Sequence, residues 1–248
     1  MTVRQVIKST LLGLNASLLR DDGPKIVFYH DVTGRSVSRM STPFEKFVQH
    51  VESSKLNGWK FVRGIPVGRK QLLICFDDGY RGIWDRRDFF LKEGIFPIVS
   101  IAIELVGQPE FLTWEEILEL RKMGFKFISH TWSHRSLAEV PETELSRELA
   151  GSRQRLSEKL GEEVDWICFP RGLFSGKVVE QSLAAGYSTG LASIPGLASE
   201  SLSECDDRMR IVPRMLVQDL DRKQFEFVLR GGMLPLRHHY VKRQFKGV

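Results

Sequence analysis

Short apolar runs alternate with helix-patterned segments along most of this chain, and that alternation limits the fold more than any other feature. The runs Ile26–His30, Lys60–Val62, Leu72–Phe76, Phe96–Ile103, Phe125–Ser129, Trp166–Phe169, Tyr187–Ala192 and Ile211–Val217 read as strands. Helices are expected between them: Thr42/Pro43 to Leu56, Ile83–Lys92, one opened by Thr113-Trp114-Glu115-Glu116 and closed by Gly124, Glu142–Leu160, Lys177–Ala185 and Asp219–Leu229. At the first of these, Thr42 is expected as N-cap, Pro43 at the first position and Glu45 three residues after the cap. Gly161 and Gly186 stand where helices should stop. Strand-helix alternation predicts parallel strands covered by helices. About seven such units suit a β/α barrel better than an open nucleotide-binding sheet, because no GxGxxG or GxxxxGK[ST] follows an early strand.

The chain has 248 residues, enough for one large core, and it shows no repeat, linker or low-complexity tract. A single domain is therefore expected over 1-248, with its core at about 24-230. The appendages would be an N-terminal helix (1-19) and a basic C-terminal tail (234-248). Val3, Val6, Ile7, Thr10, Leu11, Leu14 and Leu18 fall near one helical face, which is expected either to dock on the domain or to lie on a membrane surface. The first residues carry Arg4 and Lys8 and lack the uninterrupted apolar core of a secretory signal, so a cytoplasmic location is expected. A formal net charge of +5 is compatible with a solvated basic surface, and no long Lys/Arg block argues for nucleic acid. Cys75, Cys168 and Cys205 form no CxxC pair, which speaks against both a disulfide framework and a thiolate zinc site. Cys75 and Cys168 read as small core residues.

The apolar run Leu72–Phe76 ends in Asp77-Asp78-Gly79. Buried carboxylates cost several kcal/mol unless they are paired, hydrogen-bonded or bound to a cation. About fifty residues on, Ser129-His130-Thr131-Trp132-Ser133-His134 places two imidazoles four positions apart, also beside a strand end. In a β/α barrel the reacting groups sit where strands end, at the C-terminal rim. Taken alone, Asp77-Asp78-Gly79 could be an acidic turn capping the next helix, but the two histidines favour a divalent metal site. Two imidazoles and one carboxylate leave a coordination position open, as catalytic rather than structural zinc sites do. A cation so held brings the pKa of water toward neutrality and polarises a carbonyl, and the second carboxylate can take the proton.

These segments together resemble the polysaccharide deacetylase family (the NodB-homology domain, carbohydrate esterase family 4). Cys75-Phe76-Asp77-Asp78-Gly79-Tyr80 is similar to the family's Thr-Phe-Asp-Asp-Gly-Tyr, and Ser129-His130-Thr131-Trp132-Ser133-His134 to its Ser-His-Thr-x-x-His. Trp166-Ile167-Cys168-Phe169-Pro170-Arg171-Gly172 resembles its third motif. Phe28-Tyr29-His30-Asp31-Val32 resembles the branch that begins with Tyr-His, and the likeness runs over roughly residues 26 to 217. The resemblance implies a distorted (β/α)7 barrel. It makes Asp78, His130 and His134 metal ligands, Asp77 the general base, and the backbone N–H of Arg171 a donor to the oxyanion. The implied metal is Zn, with Co, Ni or Fe as alternatives.

Three departures from the family pattern shape the remaining expectations. No Leu-x-His follows the last predicted strand, and only Leu236-Arg237-His238 in the tail has those letters. In the family branch that begins with Tyr-His the early histidine fills the acid role, so the resemblance implies His30 as the general acid, with His238 second. Cys168 stands where many members have an arginine, so Arg214 is expected to orient Asp77 and lower its pKa. Arg171 replaces a frequent tyrosine; its cation could favour a phosphate- or carboxylate-bearing substrate or point into solvent.

The expected activity is metal-dependent hydrolysis of an N-acetyl or O-acetyl group on a carbohydrate, in surface-polysaccharide biosynthesis. The expected substrate is an acetylated sugar, oligosaccharide or lipid- or nucleotide-linked sugar, handled at the inner face of the cell membrane with peripheral contact to anionic lipid. The alternatives are hydrolysis of a non-sugar amide and a catalytically silent carbohydrate-binding relative.

Overall fold

The computed structural model describes residues 3–33, 40–202 and 205–246. In chain order its elements are α1 (Val3–Leu19), β1 (Lys25–Tyr29), β2 (Asp31–Thr33), β3 (Ser41–Pro43), α2 (Phe44–Leu56), β4 (Lys60–Phe61) and β5 (Gln71–Phe76). There follow α3 (Gly82–Asp85), α4 (Arg87–Glu93), β6 (Ile98–Ile101), α5 (Trp114–Lys122), β7 (Lys126–Ser129), and α6 (Glu142–Ser146) joined to α7 (Ser152–Leu160) through a π-helical turn. The chain continues with β8 (Trp166–Cys168), α8 (Gly176–Ala184), β9 (Thr189–Ala192), β10 (Arg210–Pro213), β11 (Met215–Leu216), α9 (Arg222–Leu229) and α10 (Arg237–Gln244).

The main sheet has nine strands in the order β10-β9-β8-β7-β6-β5-β1-β11, with β4 beside β5. Every pairing in it is parallel. Only Arg214 separates β10 from β11, and the two are halves of one kinked strand. The first half pairs with β9 and the second with β1, so this strand joins the two ends of the sheet. With β4 set aside as a flanking strand, seven positions form a nearly closed barrel wall, the distorted (β/α)7 architecture expected. At the kink Arg214 N–H donates to the Ile194 carbonyl (3.0 Å) and Val217 N–H to that of Phe28 (3.2 Å).

Side chains alternate across each strand, which sorts the wall into an inner and an outer face. Ile26, Phe28, Leu73, Cys75, Ile98, Ile128, Cys168, Leu191 and Val212 form one buried cluster inside the barrel. Val27, Tyr29, Leu72, Ile74, Phe76, Val99 and Phe127 belong to the larger cluster beneath the helices. Each such large apolar side chain contributes about 1.5–3 kcal/mol by leaving water. Cys75 and Cys168 lie in the inner layer, and all three cysteines are free and buried.

Several local expectations are corrected. Thr42 does not cap α2: Ser41–Pro43 pairs with Asp31–Thr33, Pro43 is extended (φ −52°, ψ 133°), and the helix starts at Phe44. The Thr42 hydroxyl instead donates to the Gln218 carbonyl at 3.4 Å. The segment Ile83–Lys92 breaks at Arg86 into α3 and α4, and α9 begins after Asp221, whose side chain caps Gln224 N–H. On α1 the docked face is not the expected one. Leu12 and Ala16 are buried, Gly13 lies against the Phe227 ring, and Asn15 donates to the Gly232 carbonyl. Leu11, Leu14 and Leu18 are exposed, by 42, 57 and 75%. Val3, Val6 and Ile7 fall outside the described side chains. The C-terminal segment is not a bare appendage: α10 runs through it, and Phe245 packs on Phe174 at 5.4 Å.

Candidate active site

The inner-face period that buries Leu73 and Cys75 carries Asp77 inward at the end of β5. The same alternation takes Ile26 and Phe28 to His30, Ile98 to Ser100, Ile128 to His130, and Val212 to Arg214. Five strand ends thus deliver polar side chains to one layer at the C-terminal rim. Above that layer opens a cavity of about 500 Å³, with His30, Asp77, Asp78, His130, His134 and Arg171 among the residues of its wall. A second cavity of about 550 Å³ lies at the opposite ends of β7 and β8, against Lys126, Asp165 and Trp166. Conservation of barrel shape, not chemistry, is the usual role of that face.

Asp78, His130 and His134 present three ligand atoms within 4.8 Å of one another. His130 Nδ1 is 2.7 Å from the Cys168 carbonyl, which can only accept, so this nitrogen carries the proton and Nε2 offers a lone pair. Nε2 stands 3.1 Å from Asp78 Oδ1, and His134 Nε2 stands 2.9 Å from the same oxygen. Asp78 Oδ1 is nevertheless buried with no hydrogen-bond partner among the described residues. With both Nε2 atoms deprotonated, three electron-pair donors facing one another across so short a gap repel, and a divalent cation among them removes the repulsion. The residues therefore fit a divalent metal. Asp77, His130 and Cys168 make a second compact group, but Arg214 already engages both Asp77 oxygens and the Cys168 sulfur, which disfavours a cation there.

Backbone strain accompanies the site. Of seven described non-glycine residues with positive φ, four are Asp78 (71°), Thr131 (69°), His134 (59°) and Arg171 (56°). Such conformations each cost on the order of 1–3 kcal/mol and persist where surrounding contacts impose them. One set of contacts comes from Glu148, in the π-helical turn. Its carboxylate accepts from Trp132 N–H (3.1 Å) and Ser133 N–H (2.9 Å), pinning the loop between the two histidines. The short approach of Gly82 to Asp31 and Val32 fixes the loop after Asp78. A Cβ at Gly82 would stand 2.2 Å from Asp31 Oδ1 and 2.4 Å from the Val32 carbonyl oxygen.

Arg214 lies where it was expected. Its Nη1 donates to Asp77 Oδ1 (2.8 Å) and its Nη2 to Oδ2 (3.0 Å), with both side chains buried. Ser100 adds a third bond at 2.7 Å. Burial pushes the Asp77 carboxyl up, but the Arg214 guanidinium and then the nearby histidines outweigh it and hold the pKa at about 2. His30 reaches the cavity from the end of β1, its Nδ1 2.6 Å from Gln218 Oε1. Since that oxygen only accepts, Nδ1–H donates, and Nε2 is the nitrogen left for other contacts. His238 does not share this place: it is exposed on α10 and absent from the cavity wall.

Sequence reasoning did not find Gln218, Ser100 or Glu148 as contributors, nor the wall residues Tyr240, Arg243 and Gln244 of α10. Only Ser100 had a local signal, its inward parity on β6.

A family model described as polysaccharide deacetylase matches residues 64–190. YxkH of Bacillus subtilis (strain 168), classed by name with the polysaccharide deacetylases, is 24% identical over 202 residues, covering 77% of this chain and 72% of that protein. Among solved structures, IcaB from Ammonifex degensii superposes with a TM-score of 0.73 at 21% identity, over 86% of this chain and 98% of that one. The Streptococcus pyogenes deacetylase PplD, solved with acetate, gives 0.70 at 17% identity, over 82% and 96%. Both structural likenesses carry the barrel fold.

Proposed function

With the chain belonging to the polysaccharide deacetylase family, we propose that it is a metal-dependent deacetylase that removes an N-acetyl group from a carbohydrate. The observation that carries the reading is the convergence of Asp78 Oδ1 with the Nε2 atoms of His130 and His134 beside an Arg214-paired Asp77. These three residues would hold the cation, zinc by preference. When bound, it lowers the pKa of water and polarises the acetyl carbonyl.

The chain's own groups supply the other steps. Asp77, kept ionised by Arg214, takes a proton from the attacking water. The Arg171 N–H donates to the oxygen as negative charge develops on it, an interaction worth about 3 kcal/mol of barrier where such donors have been removed. His30, its ring fixed by Gln218, protonates the departing amine at Nε2. Acetate and a free amino sugar leave.

Acetate release from a panel of N- and O-acetylated sugars by the zinc-loaded protein tests this reading. Asp77→Asn should silence turnover with metal content unchanged, and His130→Ala should lose the metal by elemental analysis. Full activity of Asp77→Asn would remove Asp77 from its role.

A place at the inner membrane face, acting on a lipid- or nucleotide-linked sugar in surface-polysaccharide assembly, is the accompanying proposal. Its support is the exposed Leu11, Leu14 and Leu18 stripe of α1 together with the net positive charge of the chain. Co-sedimentation with anionic vesicles, lost in Leu14→Glu/Leu18→Glu, is the expected result; no co-sedimentation of the unaltered chain would end it.

A further inference from the structure

Helix α10 forms one wall of the cavity through Tyr240, Arg243 and Gln244. Its far end is fastened to the segment that carries Arg171. Phe245 packs on Phe174, which stacks on Phe169 at 4.5 Å, and Phe174 exchanges backbone hydrogen bonds with Gln244 (3.2 Å) and Lys246 (2.8 Å). Gly172 lies against the Gln244 carboxamide, where a Cβ would stand 3.0 Å from Oε1. At the near end, Arg237 pairs with Glu200 at 2.6 Å. The position of Arg243 relative to Arg171 is therefore set by packing on both sides.

Both guanidiniums are exposed at the cavity mouth, and neither is ion-paired with a described carboxylate. Arg243 lies over the Tyr240 ring at 4.9 Å, which limits its orientations. Among the described residues, the carboxylates in the cavity wall are Asp77 and Asp78. Arg214 balances the first, and the metal-ligand cluster engages the second. Two positive groups thus flank one opening with no counter-charge of their own among the described residues. Planar guanidiniums bind carboxylate and phosphate oxygens in pairs, in preference to neutral hydroxyls.

We propose that Arg243, with Arg171, forms an anion subsite at the mouth of the cavity, so that the substrate is an N-acetylated sugar bearing a phosphate or carboxylate near the acetamido ring. Tyr240 holds Arg243 in place. This rests on the deacetylase reading of the same cavity, and it narrows the substrate class.

The test compares neutral N-acetylglucosamine, its 1-phosphate and N-acetylglucosaminuronic acid with the zinc-loaded full chain, by acetate release and by calorimetric binding. The expected result is a preference for an anionic sugar of about tenfold or more in kcat/KM, shrinking as salt is added. Preference for the 1-phosphate assigns a phosphate source, and preference for the uronic acid a carboxylate source. Arg243→Gln should collapse the anionic-over-neutral ratio, Arg243→Lys should restore part of it, and Lys242→Gln, which removes an adjacent charge outside the cavity wall, should leave it intact. Equal use of all three sugars, or a ratio indifferent to Arg243→Gln, overturns the subsite while leaving the deacetylase reading intact. Anion-selective binding abolished by Arg243→Gln, but with no acetate from any sugar, would uphold the subsite and sink that reading.

Discussion

Replacing Arg214 by methionine isolates the interaction on which the proposed base depends. The guanidinium is fully buried and makes two bonds of 2.8 and 3.0 Å to a carboxylate that is itself 3% exposed. Removing one member of such a pair strands the other charge, at a cost of about 3–5 kcal/mol. With Arg214 present the Asp77 pKa is depressed from 3.8 to about 2. Without it the largest opposition to burial is gone, although the nearby histidines and Ser100 remain, and the pKa should rise to 3.8 or past it, a change of roughly 2 units. At 1.36 kcal/mol per unit, that is at least about 2 kcal/mol of preference for the ionised form. Because the native pKa is depressed, the linked stability is present above pH 3.8 and is lost as pH falls through about 2. The urea-midpoint gap between the unaltered protein and Arg214→Met should therefore be widest above pH 4 and narrow in acid. A ¹³C titration of side-chain carboxyls, with Asp77 identified by its absence in Asp77→Asn, reads the pKa directly. The acid limb of kcat/KM should move up in the same variant. Should Arg214→Met not fold, Arg214→Lys keeps the cation but loses the two-point fit, and an intermediate rise is expected. Folded protein in either variant whose Asp77 titrates where it did before would refute the reasoning.

Other perturbations reach the site from different directions. Glu148→Ala frees the Trp132 and Ser133 amides, and zinc affinity measured by competition with a chelator should fall about 10–100-fold, the usual loss when a ligand's support is removed. His30→Ala should lower kcat about 10²–10⁴-fold with zinc still bound, the range for a general acid. Gln218→Leu should lose part of that, since it removes the acceptor that meets His30 Nδ1 at 2.6 Å. Gly82→Ala drives a methyl into Asp31 and the Val32 carbonyl; overpacking of about 1–3 kcal/mol is expected, read as a lower Tm in a thermal melt.

What could be read from the sequence was what local pattern encodes. The continuous apolar run Leu72–Phe76 marked the strand and its end at Asp77-Asp78, and Thr113-Trp114-Glu115-Glu116 marked the start of the Trp114–Lys122 helix, which a capping box opens. Arg214 was expected at Asp77 because a cation was missing from the third motif. Contacts made across long separations left no such trace. Gln218 meets His30 across 188 positions, and nothing in Val217-Gln218-Asp219 signals an acceptor for an imidazole. Thr42 looked like a cap until pairing with Asp31–Thr33 claimed its backbone. On α1 an apolar stripe pointed one way, while Gly13 and the Phe227 ring opposite it decided the docking. The tail with Tyr240 and Arg243 has low apolar content, so its hold on the barrel, through Phe245 and Phe174, was invisible without the third dimension.

The kinked strand that joins β9 to β1 also sets a schedule. It is the last wall strand in chain order, and Arg214 arrives with it. A nascent or truncated chain lacking it would already contain Asp78, His130 and His134, and could gather a cation around them. Its Asp77 would lack the two guanidinium bonds that orient it. On the proposed mechanism, turnover would then depend on a closed wall, because the residue between the two halves of the closing strand is also the partner of Asp77.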